Sequence, residues 1–338
     1  MGNNPFITIG IICRNEKEHI GNTIKHVLAQ TYRNFELVII DGNSTDGTSD
    51  AAKDVLSKSK IPHKVLNEKD FGFYGPCFAR NLVIDNSSKD ARYIAFIDAD
   101  CVADRNWLRF LVEEIEKNKN NKEIAGAGGP RLIADTKDKK ELAINAVLTS
   151  FIASGGNPAF SKRKIKFIDS VPNYNAIYKK EIISKFRYDD SLIVSDDNEL
   201  NFRLRKAGYK FIYADRAKIY HHETNSIKIF ARNMFSYGIN ITNTVRKHKS
   251  MVRITVPATV LFLFYLILLV PGYFLLKWIA FIPLVLYFLF VFAIFVEILS
   301  RTKTAYSLLA FILVPVQHIF YAFGIIYNFI FKKPLRKK

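Results

Sequence analysis

The residues best placed to do chemistry are Asp98 and Asp100, two carboxylates closing the apolar run Tyr93-Ile-Ala-Phe-Ile-Asp98 and its continuation Ala99-Asp100. Side chains alternate faces along a strand, so the two carboxylates project to the same side. Buried without partners they would be costly, so the pair belongs at the strand's exit, where a ligand can meet it. There one carboxylate can orient a ribose while the other holds a divalent ion bridging a diphosphate. Oxygen ligands of this kind suit Mg²⁺ or Mn²⁺. Alone, the pair could equally be the polar end of a strand with Asp104 capping the next helix. It does not stand alone.

Asp41 closes a second apolar run, Phe35–Ile40, where a carboxylate can accept hydrogen bonds from a base or ribose. The turn formers of Gly42-Asn-Ser-Thr-Asp-Gly-Thr48 follow it. Arg14, Asn15 and Glu16 leave the first run, Phe6–Cys13, and come beside Asp41 if the strands are ordered in the usual way. Gly75-Pro76-Cys77-Phe78-Ala79-Arg80-Asn81 reads as a rigid turn into a helix, from which Arg80 could face a base or phosphate and Asn81 could secure the turn. Downstream, Ser195-Asp196-Asp197-Asn198-Glu199 opens a helix with more acid than a cap requires. One of these carboxylates can cap; another can take a proton from a sugar hydroxyl attacking an anomeric carbon. In His221-His222 one imidazole could add a nitrogen ligand to the metal.

These residues need a scaffold that gathers strand ends. Strands over Phe6–Cys13, Phe35–Ile40 and Tyr93–Asp98 alternate with helical patterns after Glu16, from about Thr48, over Cys77–Asn86 and over Asn106–Asn118. Such alternation predicts an α/β domain with a mostly parallel sheet between helices and its ligand loops at the strand C-termini. A helix near Asp138–Ile152 and another over Asp196–Ala207 complete this part, which is expected to span residues 1–225.

Charge then divides the chain. Lys and Arg number 49 against 31 Asp and Glu, for a net +18. Yet Val256–Leu276, Trp278–Val296 and Thr304–Phe331 carry no charge, and each has the length of a membrane span. Residues 254–331 are therefore expected to form a membrane region of three transmembrane helices, with Pro271-Gly272 leaving room for a re-entrant segment. Residues 226–253 hold basic residues and no acidic one, interleaved with Ile229, Phe230, Met234, Phe235, Tyr237 and Ile239. They read as one or two amphipathic helices at an anionic membrane surface, broken near Gly238. That placement leaves no need for nucleic acid as a partner. The tail 332–338, KKPLRKK, is basic. Three cysteines, none in a C-x-x-C, fit a reducing compartment, and without an apolar stretch or cleavage pattern before Phe6 a secretory signal is not expected.

The order and wording of ITIGIICRNE, IIDGNSTDGT, GPCFARN, IDADC and SDDNELNFRLRKAGYK resemble the family 2 inverting glycosyltransferases of the GT-A fold across Phe6–His222. NMFSYG and QHIFYAFG bring the chain nearest the membrane-bound enzymes of succinoglycan assembly. The resemblance implies a GT-A nucleotide-diphospho-sugar transferase domain followed by transmembrane helices. It implies donor contacts from Cys13, Arg14, Asn15, Glu16, Asp41 and Arg80, with Asp98 near the ribose or diphosphate and Asp100 the principal metal ligand. Asp98, His221 and His222 are the further metal candidates. Asp197 takes the catalytic base role, and Asp196 stands where most relatives have Glu. Gly42 replaces a second Asp found in many relatives. The implied donor is a nucleoside-diphosphate sugar with Mg²⁺ or Mn²⁺. The implied acceptor is a polyprenyl phosphate or lipid-linked saccharide at the cytoplasmic face of a cell membrane, with other glycan-assembly enzymes as possible neighbours. A processive polysaccharide synthase is disfavoured, because Asn233-Met-Phe-Ser-Tyr237 stands where such enzymes carry Gln-x-x-Arg-Trp. A non-catalytic scaffold would need a broken site, whereas the carboxylates are present.

Overall fold

A computed structural model describes residues 4–72, 74–153, 166–192, 196–252 and 254–331. These fall into two compact units, one of residues 4–134 and 166–222, the other of residues 135–153 and 223–331. The segment 135–153 thus leaves the sequence stretch read as the transferase domain and joins the C-terminal helices. The basic tail 332–338 and Arg253 lie outside the described residues.

In the first unit, β1 (Phe6–Cys13), β2 (Phe35–Asp41), β3 (His63–Asn67) and β4 (Ala91–Phe96) pair in parallel in the order β3-β2-β1-β4. The crossovers are α1 (Lys17–Leu28), α2 (Thr48–Leu56) and α3 (Pro76–Asn86). Every residue of β2 is buried, as a strand covered on both faces requires. Ile20, Ile24 and Val27 put one face of α1 into the core. Beyond β4 the sheet becomes mixed. β9 (Ala176–Lys179) runs antiparallel between β4 and β6 (Ile124–Gly128); β10 (Lys210–Tyr213) follows parallel to β6, and β8 (Phe167–Ile168) closes the edge. The helices of this half are α4 (Trp107–Lys117), α6 (Lys180–Phe186) and α7 (Asp196–Lys206). The mixed α/β sheet expected from the sequence is present.

A second sheet, not foreseen, joins β5 (Cys101–Ala103), β11 (Ile219–His221) and β7 (Arg131–Ile133) in the order β5-β11-β7. Its register sets His221 opposite Cys101 on one side and Ile133 on the other. Three short strands from distant parts of the sequence thereby bring the end of the Asp98–Asp100 segment to the histidine. Close approach is needed here: a Cβ on Gly129, just before β7, would lie 2.0 Å from the Ala217 carbonyl oxygen.

The second unit is helical: α5 (Lys139–Leu148), α8 (Ile227–Lys247), α9 (Thr255–Leu276), α10 (Ile282–Thr302) and α11 (Ala310–Phe331). Two helical runs among the described residues are long and apolar enough to cross a membrane, Val256–Thr302 and Ala305–Phe331. The first is folded: a 3-10 turn over Lys277–Phe281, entered with Lys277 at φ 53°, reverses the chain. Phe262 of α9 stacks on Tyr287 of α10 with ring centroids 4.0 Å apart, so α9 and α10 form a hairpin.

The expected break near Gly238 is absent, and α8 runs unbroken for 21 residues. Gly238 instead marks a helix crossing. A Cβ there would lie 2.1 Å from the Tyr321 carbonyl oxygen, and one on Gly324 of α11 2.0 Å from that of Phe235. Asn328 of α11 locks the pair by donating to Ile239 O and Asn243 Oδ1, both at 2.8 Å. Phe230 and Met234, read from sequence as lipid-facing, are buried in one cluster with Ala143, Ile144, Val291 and Leu313. Ile229 and Tyr237 keep their exposure, 46% and 52%. The charges that interrupt α10 also have work here. Glu297 accepts from Ser150 Oγ at 2.6 Å and from the Phe151 and Ile152 amides at 2.7 and 3.0 Å. Arg301 donates to the Ala146 and Thr149 carbonyls at the end of α5, satisfying orphan acceptors of that helix.

Candidate active site

The C-terminal ends of β1 and β2 are laced together by Asn15 and the turn formers that follow Asp41. Asn15, at φ 56°, gives its amide N–H to Ser44 Oγ at 2.9 Å and accepts the Thr45 N–H on Oδ1 at 2.9 Å. The Glu16 and Lys17 amides donate to Thr48 Oγ1 and Asp46 Oδ2 at 2.8 and 3.1 Å. Asp41, 2% exposed, accepts from the Ser44 amide at 3.0 Å and from Asn67 Nδ2 at 3.3 Å. Glu68, buried after β3 and absent from the sequence reading, accepts the Gly75 amide at 2.9 Å and so ties the turn before α3 to this rim. A Cβ on Gly42 would come within 3.2 Å of Glu68 and 3.4 Å of the Arg14 Cβ, a tight fit in which the Glu68 carboxylate would have to give by a few tenths of an ångström.

Acid is concentrated at this rim. The Cys13 thiol is pushed up to about 12 by burial and then by Asp41, Glu16, Asp46 and Glu68. It points into the core and donates to the Ile40 carbonyl, so Cys13 serves the rim with its backbone, whose carbonyl accepts the Gly42 N–H at 2.8 Å. Burial, then the charge of Asp100, with lesser contributions from Asp46 and Asp98, raises the Glu16 carboxyl above the usual range.

Arg80, buried on α3, pairs with Asp98 at 3.3 Å and lies 5.9 Å from the Tyr188 ring. Its neighbour Asn81 reaches across the fold rather than securing its own turn. It donates to Tyr188 O and Asp190 Oδ1 and accepts the Tyr188 amide, fixing the chain that leads towards α7. Asp100 and His221 meet, with Nε2 to Oδ2 at 3.0 Å. Burial works to raise the Asp100 carboxyl, but the hydrogen bond and charge of His221 outweigh it and hold the carboxyl below its ordinary value. His222 lies one residue beyond β11, on the opposite alternation from His221, and is exposed.

On the far side of this pair stands Tyr174, which the sequence reading missed. Its hydroxyl is held well above its usual range by burial, against the charge of Arg131 and with the help of Asp197, Cys101 and Asp98. The charges of Asp197 and Asp98, and that of Arg131 against them, are thus felt at one tyrosine. Asn175 next to it is fully buried, accepting from Trp107 Nε1 at 2.8 Å and donating to the Ala217 and Pro130 carbonyls at 2.7 and 3.1 Å. A lone Asn-Tyr-Asn carries no periodic or motif signal, so only the fold reveals this keystone. Asp197 is half-buried in the first turn of α7, its Oδ1 accepting the Asn198 amide at 2.7 Å. Asp196 begins that helix, and its side chain lies outside the described residues.

The donor set suits a hard divalent ion. Ligand atoms of Asp100, Cys101 and His221 lie within 4.8 Å of one another. Burial first, then Asp98 and Asp100, holds the Cys101 thiol well above its ordinary range, and a soft sulfur is not the ligand a hard ion selects. A carboxylate and an imidazole remain, with Asp98 beside them, a set that leaves positions for diphosphate oxygens.

Comparison with known proteins gives the family and the fold. The model of glycosyl transferase family 2 matches residues 8–185. A Methanococcus voltae protein, dolichyl N-acetyl-alpha-D-glucosaminyl phosphate 3-beta-D-2,3-diacetamido-2,3-dideoxy-beta-D-glucuronosyltransferase, is 28% identical over 249 residues, 72% of this chain and 74% of the relative. The poly-beta-1,6-N-acetyl-D-glucosamine synthase of Staphylococcus aureus is 24% identical over 213 residues, 61% of this chain but only 47% of that one. This chain thus matches about half of the synthase's length. Among solved structures, a Pyrobaculum calidifontis mannosyltransferase in complex with GDP-Man and Mn²⁺ shares the fold over 98% of this chain and 89% of that one, with TM-score 0.59 and 13% identity. With more than half of its length matched by the family model, the chain belongs to glycosyl transferase family 2 and carries its GT-A fold.

Proposed function

We propose that this family 2 glycosyltransferase moves a sugar from a nucleoside-diphosphate sugar to a lipid-linked acceptor, a polyprenyl phosphate or lipid-linked saccharide, with inversion at the anomeric carbon. The observation that carries the reading is the pairing of Asp100 with His221 and of Asp98 with Arg80 just beyond a parallel strand whose sheet also delivers Asp41. Asp41 and the Asn15–Glu16 backbone hold the nucleoside, and Asp98, steadied by Arg80, lies at the ribose or diphosphate. Asp100 and His221 hold Mg²⁺ or Mn²⁺. When bound, the ion supplies positive charge to the departing diphosphate. Asp197 takes the proton of the acceptor hydroxyl as its oxygen bonds to the anomeric carbon, and the glycosidic electron pair leaves with the diphosphate. The dolichyl-phosphate sugar named for the Methanococcus relative supports a lipid-linked acceptor. The apolar helices of the second unit support membrane association; the reading adds a multi-pass protein with its active site at the cytoplasmic face, where nucleotide sugars are made, and anionic lipids and other glycan-assembly enzymes as neighbours.

The likeness to a poly-N-acetylglucosamine synthase favours a second reading, processive polymer synthesis. Product length separates the two: a single added sugar supports the first, a ladder of lengths the second. The reading as a whole is tested by incubating the purified chain with polyprenyl-phosphate vesicles, Mn²⁺ and a panel of nucleoside-diphosphate sugars. Transfer by the native chain and its loss in Asp100→Ala are expected. Transfer undiminished by Asp100→Ala in EDTA would remove the metal from the mechanism.

A further inference from the structure

The base and the donor-side ion pair sit on different helices, Asp197 on α7 and Arg80, partner of Asp98, on α3. One short stretch of chain is bonded to both helices, the turn that leaves α6 over residues 186–190. On its α7 side, Arg203 donates from Nη1 to the Phe186 carbonyl and from Nη2 to the Arg187 carbonyl, each at 2.6 Å. The same guanidinium is held by Glu199, whose side chain is 1% exposed, through Nε at 2.7 Å and Nη2 at 2.8 Å. On its α3 side, Asn81 accepts the Tyr188 amide and donates to Tyr188 O and Asp190 Oδ1 at 2.9 and 2.7 Å. One turn further along α3, Asp85 accepts both Nη groups of Arg187 at 2.6 and 2.8 Å. The turn is held against its own preference. Arg187 has φ 50° and ψ 159°, a backbone that glycine adopts readily and other residues rarely do. Such a conformation persists where its surroundings over-determine it, and here the surroundings are Asn81, Asp85 and Arg203.

We propose that the 186–190 turn is a spacer between α3 and α7, and that Arg203 and Asn81 are positioning residues that fix where Asp197 stands relative to the donor-side pair Arg80–Asp98. The proposal rests on the reading of Asp197 as the base. Asp197 precedes Arg203 by six residues, about 9 Å along the helix axis. Asn201, fully buried on α7, is separately tied to the Val171 carbonyl at 2.8 Å. Loss of the Arg203 contacts therefore pivots the helix instead of freeing it, and the pivot is felt at the carboxylate in its first turn. A displacement of about 1 Å at a reacting group can cost about 10²-fold in rate. Both residues act through Asp197 and not on the reacting atoms, so their loss belongs in kcat.

The test is transfer by the full chain to polyprenyl-phosphate vesicles with Mn²⁺ and the nucleoside-diphosphate sugar it uses, measured in the native and Asp197→Asn backgrounds. Arg203→Lys keeps a charge beside Glu199 but cannot reproduce the planar fork that reaches both carbonyls. Arg203→Lys and Asn81→Ala should each lower kcat about tenfold or more while the donor KM and pyrophosphate binding stay at their native values. Combined with Asp197→Asn, neither should lower the residual rate further, because the group they position is already gone. A residue that only stabilises the fold would lower both backgrounds by the same factor. Asp85→Asn serves if the other two fail to fold: it removes an exposed ion pair, should move Tm by no more than about 2 °C, and should show a smaller loss of kcat with the same dependence on Asp197. Native kcat in the folded variants, or an equal fall in the Asp197→Asn background, would overturn the spacer and leave the base in place. Native turnover by Asp197→Asn alone would instead overturn the reading on which the spacer rests, and absence of transfer by the native chain would overturn both.

Discussion

Replacing Asn175 by Ala should destabilise the transferase unit more than any single loss at the carboxylates. The amide is fully buried and makes three hydrogen bonds, from Trp107 Nε1 and to the Pro130 and Ala217 carbonyls. Trp107 itself is fully buried, so its indole N–H has no water to turn to. Each partner left unsatisfied costs about 1–3 kcal/mol. Partial relaxation brings the sum to roughly 3–5 kcal/mol, near the upper end for single substitutions. For a domain of this size, 1 kcal/mol moves Tm by about 2–4 °C, so a fall of about 6 °C or more is expected in a thermal melt of the detergent-solubilised chain. The control is Asn106→Ala, which removes one exposed bond from Thr31 and should move Tm by no more than about 2 °C. A near-native melt for Asn175→Ala would refute the keystone role and, with it, the account of how Tyr174 is held.

Other outcomes follow from the same geometry. Asp197→Asn should retain pyrophosphate and Mn²⁺ binding while lowering turnover by about 10²-fold or more, the usual scale for a positioned acid–base group; weakened binding of pyrophosphate would reassign the residue to the donor. With its thiol pushed up to about 12, and with Cys77 and Cys101 also buried, Cys13 should resist maleimide at pH 8 in the folded chain and label on denaturation; rapid native labelling would contradict its inward orientation. Lys228→Gln with Arg232→Gln, both exposed on α8, should weaken binding to anionic vesicles by about 1 kcal/mol per residue; unchanged binding would take α8 out of the membrane contact.

β2, which ends on Asp41, and β4 were legible because each is an apolar run followed by an acid, but β4 ends at Phe96, so Asp98 and Asp100 sit in the turn beyond it rather than alternating along the strand. What the sequence hid depends on contacts between distant segments. Arg80 and Asp98 are both motif residues, yet their pairing appears only once α3 packs on β1 and β2. The small sheet that brings His221 to Asp100 consists of three-residue strands, too short for a period to show. Tyr174 and Asn175 sit in a 3-10 turn whose composition is that of an ordinary loop. In α8 the residue pattern was read correctly as amphipathic, but its apolar face has a protein partner, and Gly238, a break by propensity, proves to be the contact point with Gly324.

The central claim is inverting transfer with Asp197 as the base, and the anomeric configuration of the product tests it most directly. Proton NMR of the sugar transferred from an α-linked nucleoside-diphosphate donor by the native chain should show the β anomer, with at most about 1% of that product from Asp197→Asn in the same time. An α-linked product, or equal product from the variant, would contradict the account.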